Sequence, residues 1–171
     1  EISQELSERV AWVDLSKTLA AHKKEEIYYR TDSHWTTLGA YYASQQLVES
    51  MQLDEAKTPK WEKYVVTNIF TGDLSLKSGY QTGYQESIYI YTAKSDKEMP
   101  QIVVDAGEGK ISTLYDRTKL KEMDAYDLFL GGSKGMVNIR TTADTTDRLL
   151  LVKDSYANCL IPFLVPYFRE I

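Results

Sequence analysis

Two apolar runs, one near each end of the chain, give way to a polar motif that opens a helix. This pattern constrains the fold more than any other feature. Ile27 to Tyr29 leads into Thr31-Asp32-Ser33-His34-Trp35-Thr36, after which Thr36 or Thr37 can cap a helix reaching about Met51. Leu38, Tyr41, Tyr42, Leu47 and Val48 supply an apolar face for that helix. Leu149 to Val152 leads into Lys153-Asp154-Ser155 and a second helix. Val10 to Leu15 predicts a further buried strand, and Ser16 a cap for a helix through Lys24. Strand–loop–helix units at both ends predict an α/β domain. The two polar motifs are expected to meet at one edge of a mainly parallel sheet.

The middle reads differently. Asp54 to Gly83 holds Pro59, Trp61, Gly72 and Gly79 without a sustained period, which predicts an irregular insertion with short strands. Gln85 to Thr92 alternates as a strand, with Ile88 and Ile90 on one face. Gln101 to Val104 and Lys110 to Tyr115 predict a hairpin around Asp105–Gly109, and Asp116 to Met123 a short helix. Tyr126 to Leu130 and Met136 to Thr141 flank the turn Gly131–Gly135. The expectation is a single domain over residues 1–171, truncated at both ends, in which 54–116 form a β-rich insertion that shapes a substrate groove.

Composition narrows the function classes. Of 171 residues 43% are hydrophobic and 26% charged, which marks a globular chain. The net charge of -5 and the lack of a basic stripe set nucleic acid aside. Cys159 is the one cysteine, so no intrachain disulfide forms, and its apolar neighbours point to a core thiol. Glu1 to Arg9 is polar, neither a signal peptide nor a membrane span. The apolar stretch Leu149 to Phe168 is broken by Lys153, Asp154, Asn158 and two prolines, so it does not read as a membrane helix either.

The chemistry lies in the two motifs. A serine at a strand-to-helix turn stands at a sheet edge, where backbone N–H groups of the helix start can stabilise an oxyanion. Ser155 has that place. A serine nucleophile needs a base, and histidine titrates nearest neutrality. Asp32 and His34 are two apart, so in an extended segment both point to one side and Asp32 can fix the imidazole. Taken alone, each segment is better accounted for by helix capping. Together, Ser155, His34 and Asp32 have the residue types and order of a nucleophile, base and orienting carboxylate. Ser155 Oγ is then expected within about 3.5 Å of a ring nitrogen. The other histidine, His22, sits beside Lys23 and Lys24 and reads as surface.

The segments Tyr29-Arg30-Thr31-Asp32-Ser33-His34-Trp35-Thr36, Phe129-Leu130-Gly131-Gly132 and Lys153-Asp154-Ser155-Tyr156-Ala157-Asn158 resemble the DHHW family of bacterial proteins. That family is similar to the alginate O-acetyltransferases, which are SGNH-hydrolase-like with a permuted order. The resemblance implies a three-layer SGNH-hydrolase-like sheet with helices on both faces. Ser33 stands where the family name has its first histidine; the resemblance assigns the catalytic role to the second, His34, which is kept. Candidate oxyanion or substrate-binding residues are Gly131, Gly132, Asn158, Arg30 and Tyr156. For Gly131 and Gly132 a plain turn is the alternative, for Asn158 a backbone cap, and for Arg30 a solvated surface cation. Tyr80 and Tyr84 can stack on sugar faces or pack on strands.

Three functions compete. The first is a serine-dependent O-acyl esterase or transferase. The resemblance favours acetyl groups, a cell-surface polysaccharide or other acylated small substrate, a membrane acyl-transfer partner and an extracytoplasmic, cell-envelope location, with no cofactor and no metal. The second is a catalytically silent module binding glycan or protein. The third is a metal site built from Asp32, His34 and Asp154, which ranks last because it leaves the serine unused.

Overall fold

The computed structural model describes residues 7, 9–80, 83–95 and 97–171. Residues 1–6 of the polar start, and 81–82 of the middle region, lie outside the described residues. Alternation decides the first element that matters for the site. Ile27 and Tyr29 are buried while Tyr28 is exposed, and the chain turns back on itself at once. Tyr28 bridges Trp35 in antiparallel fashion. Thr36 N–H donates to Ile27 O (2.9 Å) and Tyr29 N–H to His34 O (3.2 Å). The expected strand is therefore one arm of a tight hairpin, with the Asp-x-His motif at its tip.

The hairpin feeds helix α2, Thr37–Ser50, whose cap is Thr36: its side chain accepts from Gly39 N–H. Helix α1, Ser16–Ala21, precedes it. Ser16 does not cap α1. The N-cap is Leu15, and Asp14 before it accepts from Ser16 N–H at 2.9 Å and from its hydroxyl at 2.5 Å; the helix ends short of Lys24. The expected strand Val10–Leu15 is not formed; Val10 and Trp12 are exposed. The buried face of α2 also differs from expectation. It consists of Thr37, Gly39, Ala40, Ala43, Ser44 and Val48, while Leu38, Tyr41 and Leu47 pack at its margins. Small residues let the helix approach the hairpin closely. A Cβ at Gly39 would lie 2.4 Å from Ile27 O.

Strand β1, Trp61–Phe70, occupies the region expected to be irregular. It pairs antiparallel with β2, Glu86–Ala93, with register shifts between Val65 and Thr67 and between Thr67 and Phe70. Those bulges break the two-residue period, so the segment does not read as a strand. Helix α3, Asp73–Ser78, follows β1. Ile88 and Ile90 face the core as expected. Strands β3, Ile102–Asp105, and β4, Lys110–Ile111, form the expected hairpin. Strand β5, Asn138–Thr141, pairs with β3 rather than with the Tyr126 segment. Ala125–Leu128 is instead a 3-10 turn, and so is Arg117–Lys121, each capped by the aspartate before it.

Among the described residues the class is thus mixed α/β, with helices and two small sheets. The strand pairing departs from expectation, because every ladder between named strands is antiparallel. Leu149–Val152 is not a buried strand. Leu149 and Leu151 pack inward, but Leu150 and Val152 are 92% and 94% exposed. Among the described residues no strand lies alongside to cover them. After Ser155 the chain makes a 3-10 turn, Ser155–Cys159, then helix α4, Ile161–Leu164, and a last 3-10 turn, Val165–Tyr167. Pro162 and Pro166 keep these turns short. Their side chains complete two cores, one with Trp35, Phe70, Tyr126 and Phe163, the other with Val104, Ile139 and Val165. No helix among the described residues is long and apolar enough to cross a membrane.

Candidate active site

The hairpin tip and the Ser155 turn meet. Ser155 Oγ lies 2.7 Å from His34 Nε2, and His34 Nδ1 lies 2.5 Å from Asp32 Oδ1. The same carboxylate oxygen accepts from His34 N–H at 2.9 Å. Its other oxygen accepts from Asp73 N–H at 3.0 Å. The Asp32 side chain is 0% exposed and that of His34 10%, so this carboxylate lives on its donors. An ionised carboxylate only accepts. Facing an ionised Asp32, a neutral His34 has its proton on Nδ1 and offers Nε2 as the acceptor for the Ser155 hydroxyl. That is the tautomer a general base toward serine requires.

Residues that the sequence did not single out hold Asp32 in place. Glu86, the first residue of β2, accepts from Arg30 N–H at 2.9 Å, Thr31 N–H at 2.8 Å and the Thr31 hydroxyl at 2.5 Å. Thr31 Oγ1 in turn accepts from Gly72 N–H at 2.9 Å. Gly72 is obligatory by contact rather than by φ: a Cβ there would lie 2.2 Å from Asp32 Cβ and 2.6 Å from Oδ2. The Ser33 backbone is held from both sides. Its N–H donates to Asp73 Oδ1 at 3.2 Å and its carbonyl accepts from the Tyr156 hydroxyl. The loop accordingly keeps its shape with serine at the position where the family name has its first histidine.

On the Ser155 side Asp154 caps the turn, accepting from Tyr156 N–H at 3.0 Å. That N–H is thus committed. Among the described residues no group of three His, Cys, Asp or Glu side chains is arranged to hold a metal ion. Trp35 Nε1–H donates to Tyr156 O at 3.0 Å, tying the hairpin to the turn. Tyr156 also meets the His34 ring, 5.0 Å between centroids at 45°. Tyr126 stacks on it more closely, at 4.0 Å and 14°.

The remaining candidates have other partners. Asn158 is 1% exposed and accepts from Lys153 Nζ at 2.5 Å, so it anchors that lysine inside the turn. Gly131 and Gly132 have φ of 68° and 86°, the left-handed conformation that favours glycine. Gly131 lies against Asp116 and Lys134, Gly132 against the Asp127 carboxylate, and Gly132 N–H already donates to Phe129 O at 3.1 Å. They build a tight turn. The Arg30 guanidinium lies over the Tyr84 ring, 5.1 Å from its centroid. Beside it a cleft of about 340 Å³ opens between Thr36, Tyr84, Glu86 and Tyr89. Tyr80 is exposed. Cys159 is a buried core thiol, its pKa pushed up to about 12 by burial.

The chain belongs to the DHHW family, whose profile, described as DHHW protein, matches residues 3–171. A DHHW family protein from Eubacterium siraeum superimposes with a TM-score of 0.79 at 26% identity, over 99% of this chain and 57% of that one. Bacillus cereus PatB1 bearing a sulfonyl adduct superimposes with a TM-score of 0.68 at 18% identity, over 98% of this chain and 58% of PatB1. A second structure of Bacillus cereus PatB1 gives a TM-score of 0.67 at 17% identity, over 98% of this chain and 61% of PatB1. This chain therefore spans less than two thirds of each of these proteins. The likeness to PatB1 is one of fold. No curated protein matches the chain in sequence.

Proposed function

We propose that this protein is a serine-dependent O-acyl transferase or esterase. In this proposal Ser155 is the nucleophile, His34 the general base and acid, and Asp32 the carboxylate that orients His34. The observation that carries it is the continuous pair of contacts from Ser155 Oγ to His34 Nε2 and from His34 Nδ1 to Asp32. A nucleophile bonded to a base that a third group orients is the arrangement serine catalysis needs.

The reaction runs in two halves. Ser155 Oγ adds to the ester carbonyl as its proton passes to His34 Nε2, and the carbonyl π pair moves onto oxygen. Collapse of the tetrahedral intermediate breaks the bond to the alkoxy group, which leaves with the proton from His34. Ser155 is now acylated. An acceptor hydroxyl then adds to the acyl-serine, giving its proton to His34. Collapse frees Ser155, which recovers that proton. With water as acceptor the outcome is hydrolysis; with a sugar hydroxyl it is transfer.

In this proposal acetyl as the acyl group and a cell-surface polysaccharide as the acceptor follow only from the resemblance of the sequence motifs to the alginate O-acetyltransferases. So do a cell-envelope location and acyl supply by a membrane partner. A sulfonyl electrophile is captured by an activated nucleophile, so the sulfonyl adduct of PatB1 is chemistry of the same kind. The cleft beside Arg30 and Tyr84 offers polar groups and an aromatic ring within reach of the hairpin, as a sugar acceptor would need. The test compares wild type with Ser155→Ala on a chromogenic acetyl ester, with and without sugar acceptors. Turnover is expected to disappear in the variant. Equal rates in both proteins would leave the site without a catalytic role.

A further inference from the structure

We propose that Tyr126 is a positioning residue of this site, whose ring face fixes the plane of the His34 imidazole and favours its protonated form during the reaction. The inference rests on the catalytic reading of Ser155, His34 and Asp32. The Cβ–Cγ bond holds the imidazole to the backbone, and rotation about it is opposed by the hydrogen bonds at Nδ1 and Nε2. Such rotation tilts the ring plane and swings both bonds out of line. A flat neighbour removes that motion. Tyr126 is such a neighbour, 4.0 Å from the imidazole and 14° from parallel.

Tyr126 is itself immobilised. It is 2% exposed and packs against Phe129 at 5.1 Å and edge-on to Tyr29 at 6.2 Å. Its hydroxyl donates to Cys159 Sγ at 3.0 Å, in the same turn that carries Ser155. One phenol thus spans from the base to the element bearing the nucleophile. Burial first, and then Cys159, hold the phenol's own titration well above its ordinary range, so the ring stays neutral. An aromatic face attracts a cation within about 6 Å of its centroid. His34 becomes a cation when it takes the serine proton, so the stack stabilises the transition state more than the resting enzyme.

The test uses the full chain with Tyr126→Phe, Tyr126→Leu and Tyr126→pentafluorophenylalanine, beside Ser155→Ala, on an acetyl ester. Phenylalanine keeps the face and should retain most of the rate. Leucine should lower kcat about 100-fold with KM little changed, as loss of alignment does. The pentafluoro ring keeps the shape but reverses the polarity of the face, and should lower kcat about tenfold relative to phenylalanine. A second readout needs no turnover. The chain has two histidines, and the Nδ1 proton of His34 is identified by NMR as the low-field signal that Asp32→Asn removes. It should stay sharp with phenylalanine at 126 and broaden or move upfield with leucine. Wild-type kcat in the leucine and pentafluoro variants, or a signal indifferent to residue 126, would overturn the inference. If the leucine variant does not fold, the pentafluoro comparison decides. Turnover that survives Ser155→Ala would instead remove the catalytic reading, while the NMR signal still decides the role of Tyr126.

Discussion

His22 and His34 each present Nδ1 to a carboxylate and one face to a tyrosine. His22 Nδ1 lies 2.6 Å from Glu25 Oε1, and its ring stacks on Tyr42 at 3.5 Å and 12°. His34 Nδ1 lies 2.5 Å from Asp32 and stacks on Tyr126 at 4.0 Å and 14°. The surroundings differ. The side chains of His22 and Glu25 are 32% and 44% exposed, whereas those of His34 and Asp32 are nearly or wholly buried. Only His34 has a serine hydroxyl at Nε2. A histidine–carboxylate–tyrosine set is therefore no site by itself. Burial, which strengthens each polar contact, and a hydroxyl at the free nitrogen make the difference.

Parallel substitutions break or sharpen this contrast. The largest effect is expected for Asp32→Asn, which no longer selects the Nδ1–H tautomer and should lower kcat roughly 10⁴-fold. Glu25→Gln, the matched change at the exposed set, should leave kcat unaltered. Steady-state kinetics on one acetyl ester read both. Similar losses in the two variants would mean that the distinction drawn from burial is misplaced.

Next comes the support beneath Asp32. Gly72→Ala drives a methyl group into Asp32, so the carboxylate must shift by a large fraction of an ångström. A misplacement near 1 Å costs about 100-fold in rate. Gly135→Ala is the control, since nothing lies within 4 Å of a Cβ there. A Gly72→Ala enzyme with wild-type kcat would show that Asp32 tolerates displacement. Glu86→Gln should act more weakly. The amide keeps one acceptor oxygen for the three donors of Arg30 and Thr31, and an unsatisfied buried donor costs about 1–3 kcal/mol. Chemical denaturation should register that loss, with a kcat decrease smaller than for Gly72→Ala.

The residues in these experiments divide by how they were legible. Asp32, His34 and Ser155 stood out because a polar motif interrupts an apolar run and their types match a chemistry. Thr36 stood out because caps are local. Glu86, Gly72 and Tyr126 gave no signal, because each acts on a partner at least 40 residues distant. Local periodicity does not encode such contacts. The fold shows the same division. The β3–β4 hairpin and the α2 cap are short-range and were legible. Strand β1 was hidden by its bulges. The core face of α2 was hidden because its buried residues are small rather than apolar and large. Leu149–Val152 misled in the opposite sense: four apolar residues suggest a buried strand, yet only alternate ones pack inward.

The smallest effect is expected at His22, where the contrast can be tested through stability rather than rate. His22→Ala removes a hydrogen bond and a stacked ring at the surface, and should move Tm by less than about 2 °C. Hydrogen bonds from His22 first, and from Tyr42 second, hold the Glu25 carboxyl below its ordinary value of 4.5. A carboxyl depressed in the folded state stabilises the protein above its unfolded pKa, and that contribution fades as the pH falls through the folded one. Any stability difference between wild type and His22→Ala should therefore be full near neutrality and shrink below about pH 4.5. Thermal melts from pH 7 down to pH 3 would follow it. A difference that grew between pH 4.5 and pH 3 would show that Glu25 is not the partner through which His22 acts, and the likeness between the two histidine sets would end at their geometry.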